Sequence, residues 1–492
     1  MKMIMNNKRI LALILAMLAT TSAASCGGGD ADSATDDNSS ASTTVPVSET
    51  TRDTLDPSLD FNGETVTLIV DKDMYITDFT AEQTGDIVDD ALYKRTLDVQ
   101  ERLNVQLDFF WSEGLWANRA VYQTHVRNSV LAQDGSYDIA AGYSLSIATL
   151  AAEGLFYNLA DTKHIDLSNP WWSESFLDQV SVDGNMYFVT GDISTNAIGT
   201  AFALFFNKGL VDTYKLENPY KLVDEGKWTL DKLFTMTGTI YSDLNGNSKP
   251  DDKDMFGLFA NHSSLDNLYY SSGMSIIVPD KEKGMVVSED YGSEKMVSLL
   301  EKLCTAFNHT EGIRWGDEAQ SVAVNSFLDL HSVFIMTGMN VAANELREAK
   351  FDYGVLPVPK YDEAQENYRS THAYTSGFYS IPLDAKNPDM SSAVIEAMAI
   401  EGYYNVAPAF FETALKVKYS SDDDSARMFD IIRESVTYDF GRVYSSGYLD
   451  DIPGQMRRMI MSDNVNWMST YESTIGKLET LLEDLVEKLG DD

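Results

Sequence analysis

Cysteine is nearly absent from this chain, and histidine and basic residues are scarce. Only Cys26 and Cys304 occur among 492 residues, and if Cys26 is consumed by processing, no intramolecular disulfide remains. The six histidines are scattered without metal-ligand spacing. Lys and Arg total 37 against 76 Asp and Glu, for a net charge of −39. A surface this acidic repels phosphate backbones, so we expect no nucleic-acid partner.

Catalytic motifs are also absent. The chain contains no G-x-S-x-G, no H-E-x-x-H and no phosphate-binding loop. Glycoside hydrolysis needs only two carboxylates at a set separation, and with 76 acidic residues no such pair is excluded. We therefore expect a protein that is not an enzyme and has no organic cofactor, with an extracellular glycan hydrolase as the less favoured alternative.

The first 25 residues have the layout of an export signal. Basic residues precede the apolar run Ile10–Leu18, which is too short to span a bilayer. The run Ala23–Cys26 resembles a bacterial lipobox, which implies that Cys26 becomes a lipidated N-terminus; a plain cleavage site is the alternative. Residues 26–60 are rich in Gly, Ser, Thr and Asp, which predicts a flexible tether. We expect a lipid-anchored protein on the extracellular face of the cytoplasmic membrane.

The pattern changes after Glu64, and at this length two domains are expected. Thr65–Val70 and Val105–Trp111 are predicted strands that flank a predicted helix at Ile87–Leu103. Tyr137–Ala141 is a third strand and is followed by a helix at Leu145–Ala152. This alternation predicts α/β layers around a mainly parallel sheet.

Later segments continue this pattern. Gly184–Val189 is predicted to form a turn and a strand, and Thr200–Phe206 and Tyr353–Val358 are predicted strands. Leucines at steps of three and four predict a long amphipathic helix near the C-terminus. Met296, Leu300 and Phe307 recur with helical spacing around Cys304, which predicts a buried structural thiol.

Several passages resemble the extracellular solute-binding proteins of ABC importers, specifically the maltose-type family 1 and its larger Gram-positive lipoprotein branch. Their order and spacing carry the resemblance, which covers about residues 64–445. The passages are Asp183–Tyr187, Phe205–Leu210, Phe334–Gly338, Asp352–Pro359, Glu153–Leu159, Pro170–Trp172 and Gly226–Thr229.

The resemblance implies a two-lobed, periplasmic-binding-protein-like type II fold with a hinge and an interlobe cleft. By analogy the chain first crosses between lobes near Gly191–Thr195, crosses again near Thr371–Gly377, and crosses a third time after the helix around Ser391–Tyr404. The first lobe would combine residues 61–192 with 377–418, and the second 196–370 with 419–492. The family's function implies a monomer that traps a solute in the cleft and docks on ABC permease subunits.

A sugar site needs aromatic platforms together with amide, hydroxyl or carboxylate groups. We expect these near strand ends and beside the crossings, where a local role (a helix start, lobe packing or a turn cap) is the alternative for each residue. The candidates are Tyr143, Ser144, Trp171, Trp172, Asp192, Trp315 with Arg314, Tyr374, Thr375 and Ser376. Where the maltose-type proteins have a tryptophan platform, this chain has Met339 and Asn340, so maltose itself is not expected.

One acidic loop has the ligand order of an EF-hand. Ser248 replaces the glycine at the sixth position, and the last position has an Asp in place of the longer Glu. We expect structural Ca²⁺ here, with a solvated acidic turn as the alternative. The expected ligands are Asp243, Asn245, Asn247, Lys249 (through its carbonyl), Asp251 and Asp254.

Together with the predicted export signal and lipobox, the resemblance implies an extracellular substrate-binding lipoprotein that captures a sugar or oligosaccharide and delivers it to an ABC permease. The alternative to an importer component is a cell-surface lipoprotein that binds glycans but has no permease. Loss of uptake on deletion would separate the two.

Overall fold

The computed structural model describes residues 53–74, 78–80, 82–316, 320–411 and 423–490. These residues belong to one compact unit, Glu49–Asp492. The predicted export signal, Cys26 and most of the predicted tether lie outside the described residues. The predicted third crossing, near residue 418, lies outside them as well.

Twelve described strands form two main sheets and a hairpin. The strands are β1 (Glu64–Asp71), β2 (Val105–Ser112), β3 (Ile139–Tyr143), β4 (Phe202–Asn207), β5 (Tyr241–Ser242), β6 (Met255–Asn261), β7 (Ile277–Asp280), β8 (Gly284–Val287), β9 (Ile313–Gly316), β10 (Ser332–Gly338), β11 (Tyr353–Leu356) and β12 (Gly377–Ser380).

The first sheet has the order β12-β3-β1-β2. Strand β1 pairs in parallel with β2 and β3, and β12 is antiparallel to β3. The predicted mainly parallel α/β arrangement is therefore confirmed for this part of the chain. Strand β3 is buried along its whole length, as expected for a central strand covered on both faces.

The second sheet has the order β11-β4-β10-β6-β5, and β9 also pairs with β6. Strand β10 is parallel to β6 but antiparallel to β4, so this sheet is mixed. All residues of β4, β6 and β10 are buried. Strands β7 and β8 form a separate antiparallel hairpin.

Helices cover the sheets and form the rest of the described fold. The α-helices are α1 (Ile87–Leu103), α2 (Arg119–Ala132), α3 (Ser144–Ala152), α4 (Glu174–Val180), α5 (Thr195–Gly199), α6 (Lys208–Thr213), α7 (Pro219–Asp224), α8 (Leu230–Thr237), α9 (Asn267–Ser271), α10 (Glu294–His309), α11 (Gln320–Leu328), α12 (Asn340–Ala343), α13 (Pro388–Glu401), α14 (Asp423–Ser435), α15 (Phe440–Val443), α16 (Gln455–Met461) and α17 (Trp467–Gly490). Short 3₁₀ turns at Leu159–Asp161, His262–Asp266, Glu289–Gly292, Glu345–Glu348 and Ile452–Gly454, and a π-helical turn at Gly402–Val406, complete the set.

Helix α1 shows how local sequence determines these boundaries. The carboxylate of Asp86 accepts a hydrogen bond from the backbone N–H of Val88 at 3.0 Å, which caps the N-terminus. Leu92 and Val99 lie on the buried face. At the C-terminus Asn104 adopts a φ of 48°, a left-handed conformation that ends the helix.

Three other expectations can be compared with the structure. Residues 184–189, predicted as a strand, make only isolated bridges, such as Val189 with Tyr379. Leu55 is buried, so the packed chain includes residues that were assigned to the tether. Cys304 is buried in α10 as predicted, and burial raises the pKa of its thiol to about 11.

None of the described helices has the length and apolar composition needed to cross a membrane.

The two segments predicted as crossings run side by side between the sheets. The hydroxyl of Thr190 donates to the carbonyl of Gly377 at 2.8 Å, next to the first sheet. Near the second sheet, the backbone N–H of Ala373 donates to the carbonyl of Thr200 at 2.9 Å. The two connections are thus hydrogen-bonded to each other at both ends.

Candidate functional site

A cavity of about 370 Å³ lies where strands of both sheets end, and we call it the cleft cavity. Its residues follow the carboxyl ends of β3, β6 and β10, the edge at which α/β proteins usually bind ligands. Its size is at the lower end of the range for small-molecule sites. It is lined by Trp116, Tyr143, Leu145, Thr200, Asn261, His262, Ser263, Gly338, Asn340, Ala373, Tyr374, Thr375, Ser446, Asp451 and Arg457.

The first sheet contributes two aromatic side chains to the cleft cavity. Tyr143 is the last residue of β3 and is buried. Trp116 lies in the loop between β2 and α2, and 55% of it is exposed. The guanidinium carbon of Arg119 lies 4.3 Å from the centre of the Trp116 ring and holds the indole in place. Trp116 was not among the residues proposed from the sequence.

The second sheet contributes amides. The side-chain carbonyl of Asn261 accepts from the backbone N–H of Ser264 at 2.9 Å, and within the described residues its amide nitrogen has no acceptor. Asn340 begins α12 beside Gly338, where an added Cβ would lie 2.6 Å from the Asn340 Oδ1. Gly338 therefore leaves space for an amide that faces the cavity. Neutral amides of this kind can donate to and accept from sugar hydroxyls.

The second crossing forms the base of the cleft cavity. Tyr374 and Thr375 line it, as their position on the crossing suggested. Ser144 and Ser376 lie behind the lining: the Ser144 hydroxyl donates to the carbonyl of Tyr374 at 2.6 Å, and its N–H donates to the carbonyl of Ser376. These two serines hold the crossing against α3 and are not in the lining.

Trp171, Trp172 and Asp192 line a different cavity of about 180 Å³. Two pairs of neighbouring residues explain the separation. Thr200 and Ala373 line the cleft cavity, whereas the adjacent Ala201 and His372 line the second cavity. His372 forms an antiparallel bridge with Ala201, and side chains alternate along such an extended segment, so His372 and Ala373 point to opposite sides of the second crossing and the second cavity lies on its reverse side.

Asp192 dominates the electrostatics of this reverse cavity. Burial raises the pKa of its carboxyl to about 6, and the nearby positive charge of Arg433 opposes that rise. The Arg433 Nη2 lies 3.4 Å from Asp192 Oδ2, and the guanidinium carbon lies 4.9 Å from the centre of the Phe411 ring. The buried His372 is held neutral, since burial and the charge of Arg442 lower its pKa to about 3.

Trp315 is placed away from both cavities. It lies on β9, and its indole N–H donates to the side-chain carbonyl of Asn308 at 3.2 Å. Arg314 extends over Phe256 and Phe259, with its guanidinium carbon 5.7 Å and 5.6 Å from the two ring centres. These contacts belong to the packing of the second sheet against α10.

The acidic loop adopts a turn that depends on its own side chains. Asp243 accepts from the backbone N–H groups of Gly246 and Ser248, at 2.6 Å and 2.7 Å. Ser248 has a φ of 59°, the left-handed conformation for which an EF-hand uses glycine. The Asp254 carboxylate accepts from the backbone N–H of Leu244 at 3.1 Å. Within the described part of the chain, no three His, Cys, Asp or Glu side chains gather as metal ligands.

Among known proteins, only solved structures were found to be similar to this chain, and they agree with this architecture. Neither a protein-family model nor a curated protein matches the chain. Solved structures do match. They include the ABC substrate-binding protein Lmo0181 from Listeria monocytogenes in complex with cycloalternan, at 11% identity and a TM-score of 0.53, covering 85% of this chain and 99% of that one.

Two further structures give similar values. A solute-binding protein of an ABC transporter from Agrobacterium radiobacter K84, in complex with ribitol, is 14% identical with a TM-score of 0.53 and covers 85% of this chain and 99% of that one. The maltose/maltodextrin-binding domain MalE from Bdellovibrio bacteriovorus, bound to maltotriose, is 13% identical with a TM-score of 0.50 and covers 87% and 100%. At these identities the likeness establishes the fold. The chain therefore has the two-lobed α/β type II fold of ABC substrate-binding proteins.

Proposed function

We propose that this protein is the solute-binding component of an ABC importer and that it captures a carbohydrate in the cleft cavity. The observation that carries the proposal is the composition of that cavity, in which aromatic rings from the first sheet face neutral amides from the second. Sugars present apolar C–H faces ringed by hydroxyls, and this combination is complementary to both.

The structural neighbours support the same ligand class. Their ligands are cycloalternan, ribitol and maltotriose, which are polyhydroxylated and uncharged. Closure of two lobes around a bound solute is the usual mechanism of this fold. We expect a binding protein that releases its ligand unchanged to permease subunits, in preference to a hydrolase.

The N-terminal residues support a location outside the cell. We propose that Cys26 is lipidated after export and that the tether beyond it holds the folded domain at the extracellular face of the cytoplasmic membrane. Mass spectrometry of the N-terminal peptide from the native host tests this directly. A peptide that begins at Cys26 with an acyl modification is expected, and an unmodified N-terminus would contradict lipid anchoring.

A thermal-shift screen of residues 27–492 against oligosaccharides tests capture. Because a ligand bound only by the folded state stabilises it, the Tm should rise with ligand concentration, and about a tenfold excess over Kd should contribute about 1.4 kcal/mol. Recovery of the glycan intact is the accompanying control. No shift with any glycan, or recovery of cleaved glycan, would count against the proposal.

Deletion of the gene separates an importer component from a cell-surface glycan-binding lipoprotein. Loss of uptake of the glycan identified in the screen is expected for an importer component. Retained uptake with lost surface binding would favour the alternative.

We also propose structural calcium in the loop Asp243–Asp254, because its turn places Ser248 in the conformation that this kind of loop requires. Added Ca²⁺ should raise the stability of the folded protein by about 1 kcal/mol at a few times its Kd. Asp243→Ala should abolish the shift, and the matched variant Asp252→Ala should retain it, since Asp252 is not an expected ligand. Equal responses of both variants would show that calcium acts elsewhere or not at all.

A further inference from the structure

One cation lining the cleft cavity has an incomplete set of partners. Arg457 lies on α16, and 16% of its side chain is exposed. Its Nη1 donates to Asp266 Oδ2 at 2.8 Å, and the same oxygen accepts from Nη1 of Arg442 at 3.2 Å. Two guanidinium groups therefore share one carboxylate oxygen.

The two arginines differ in what else they bind. Arg442 is 7% exposed, donates from Nε and Nη2 to the carbonyl of His372 at 3.2 Å and 3.0 Å, and stacks 4.0 Å above the Tyr374 ring centre. Arg457 makes no second hydrogen bond within the described residues. Its Nε and Nη2 edge, which suits a bidentate carboxylate, therefore has no protein acceptor.

The other carboxylate in the lining does not supply the missing acceptor. Asp451 is bound by Nη1 of Arg458, which also donates from Nη2 to the Asp451 carbonyl. The second oxygen of Asp451 accepts from the hydroxyl of Ser445 at 3.1 Å. Its charge is thus balanced by a different arginine, and the Nε and Nη2 edge of Arg457 stays available to a ligand.

We propose that the solute carries a carboxylate that binds Arg457, as in an oligosaccharide containing uronic acid. This inference rests on the proposed carbohydrate function and names its ligand class. A chain of net charge −39 repels anions at long range, so an anionic ligand needs a local cation in the site. Closure of the cleft would remove water from the free edge of Arg457, and a ligand carboxylate would replace the lost hydrogen bonds.

Calorimetric titration of the purified protein with matched pairs tests this inference. The probes are di- to tetrasaccharides of galacturonate, glucuronate and mannuronate, each compared with its galactose, glucose or mannose counterpart. At least one acidic member should bind about tenfold or more tightly than its neutral counterpart, as expected for a charged hydrogen-bonded contact. Arg457→Gln should remove this preference, and Arg457→Lys should retain part of it because the charge remains without the planar fork.

Arg427→Gln is the matched control, because it removes the same charge from an exposed ion pair with Asp224, outside the cleft lining. It should leave the preference unchanged. Equal or tighter binding of the neutral sugars, or a preference that survives in Arg457→Gln, overturns the inference but leaves carbohydrate capture intact. Absence of binding by every member overturns the inference, and together with a flat thermal-shift screen it overturns carbohydrate capture as well.

Discussion

Replacing Asp78 with alanine is expected to lower the free energy of unfolding by about 3–5 kcal/mol, because it removes the acceptor of several buried hydrogen bonds. Asp78 is only 9% exposed, and its carboxylate lies between the first crossing and β12. Urea unfolding of the purified variant and of the wild type measures the difference.

The geometry around Asp78 explains the size of this effect. Its carboxylate accepts hydrogen bonds from the hydroxyls of Ser194, Thr195 and Tyr379 at 2.7, 2.6 and 2.9 Å. Arg95, buried on α1, donates to the backbone carbonyls of Asp78 and Ile193. One carboxylate therefore joins the first crossing to the first sheet, and without it buried donors lose their acceptor.

Two further variants separate this role from a general effect of substitution. Asp78→Asn retains an acceptor and should lose less stability than Asp78→Ala. Asp329→Ala removes an exposed carboxylate at the end of α11 and should change the unfolding free energy by no more than about 0.5 kcal/mol. If Asp78→Ala remained within about 1 kcal/mol of the wild type, the hydrogen bonds around the carboxylate would be energetically unimportant.

Regular elements were predictable because their signals are local. The helix over Ile87–Leu103 and the strand at Val105–Trp111 follow from the periodicity of apolar residues, and the strand at Thr65–Val70 follows from a short apolar run. The strand predicted over 184–189 fails because an apolar run does not specify a pairing partner. In the structure Val189 makes only a bridge to Tyr379, nearly two hundred residues away along the chain.

The candidate site was only partly predictable because the type of residue at a crossing does not determine which cavity its side chain faces. Tyr374 and Thr375 reach the cleft cavity, whereas Asp192, also at a crossing, faces the reverse cavity. One step along an extended backbone reverses the face, and the sequence does not specify which face meets the cleft. The assignments of Asp192, Trp171 and Trp172 to the ligand therefore stay predictions that binding measurements must test.

Residues contributed over long distances were missed. Arg457 belongs to a C-terminal helix without a recognisable motif, and its partner Asp266 lies 191 positions earlier. Trp116 lies in a short loop that carries no recognised binding motif. A useful signal was present in the spacing of Trp116 and Arg119, because an arginine three residues after a tryptophan can stack on the indole.

Trp116→Ala is expected to weaken sugar binding by at least about 2 kcal/mol, or about 30-fold in Kd, while leaving the unfolding free energy nearly unchanged. The indole is 55% exposed, so its removal opens little cavity in the folded protein. Arg119 holds it in advance, with its guanidinium 4.3 Å from the ring centre and Nη1 donating to the Trp116 carbonyl at 2.6 Å. Because the ring is already fixed in the free protein, it loses little conformational entropy when the ligand binds.

Calorimetric titration with the glycan identified in the thermal-shift screen measures this loss of affinity. Trp116→Phe should recover part of the affinity because a smaller aromatic face remains. Leu131→Ala removes an apolar side chain that is 72% exposed on α2 and lies outside the cavity lining, so it should bind as the wild type does. A Trp116→Ala variant whose Kd stayed within about twofold of the wild type, against an expected loss of at least 2 kcal/mol, would show that the sugar rings do not stack on this indole. The aromatic contact of the cleft would then have to come from Tyr143 or Tyr374, the two tyrosines that line it.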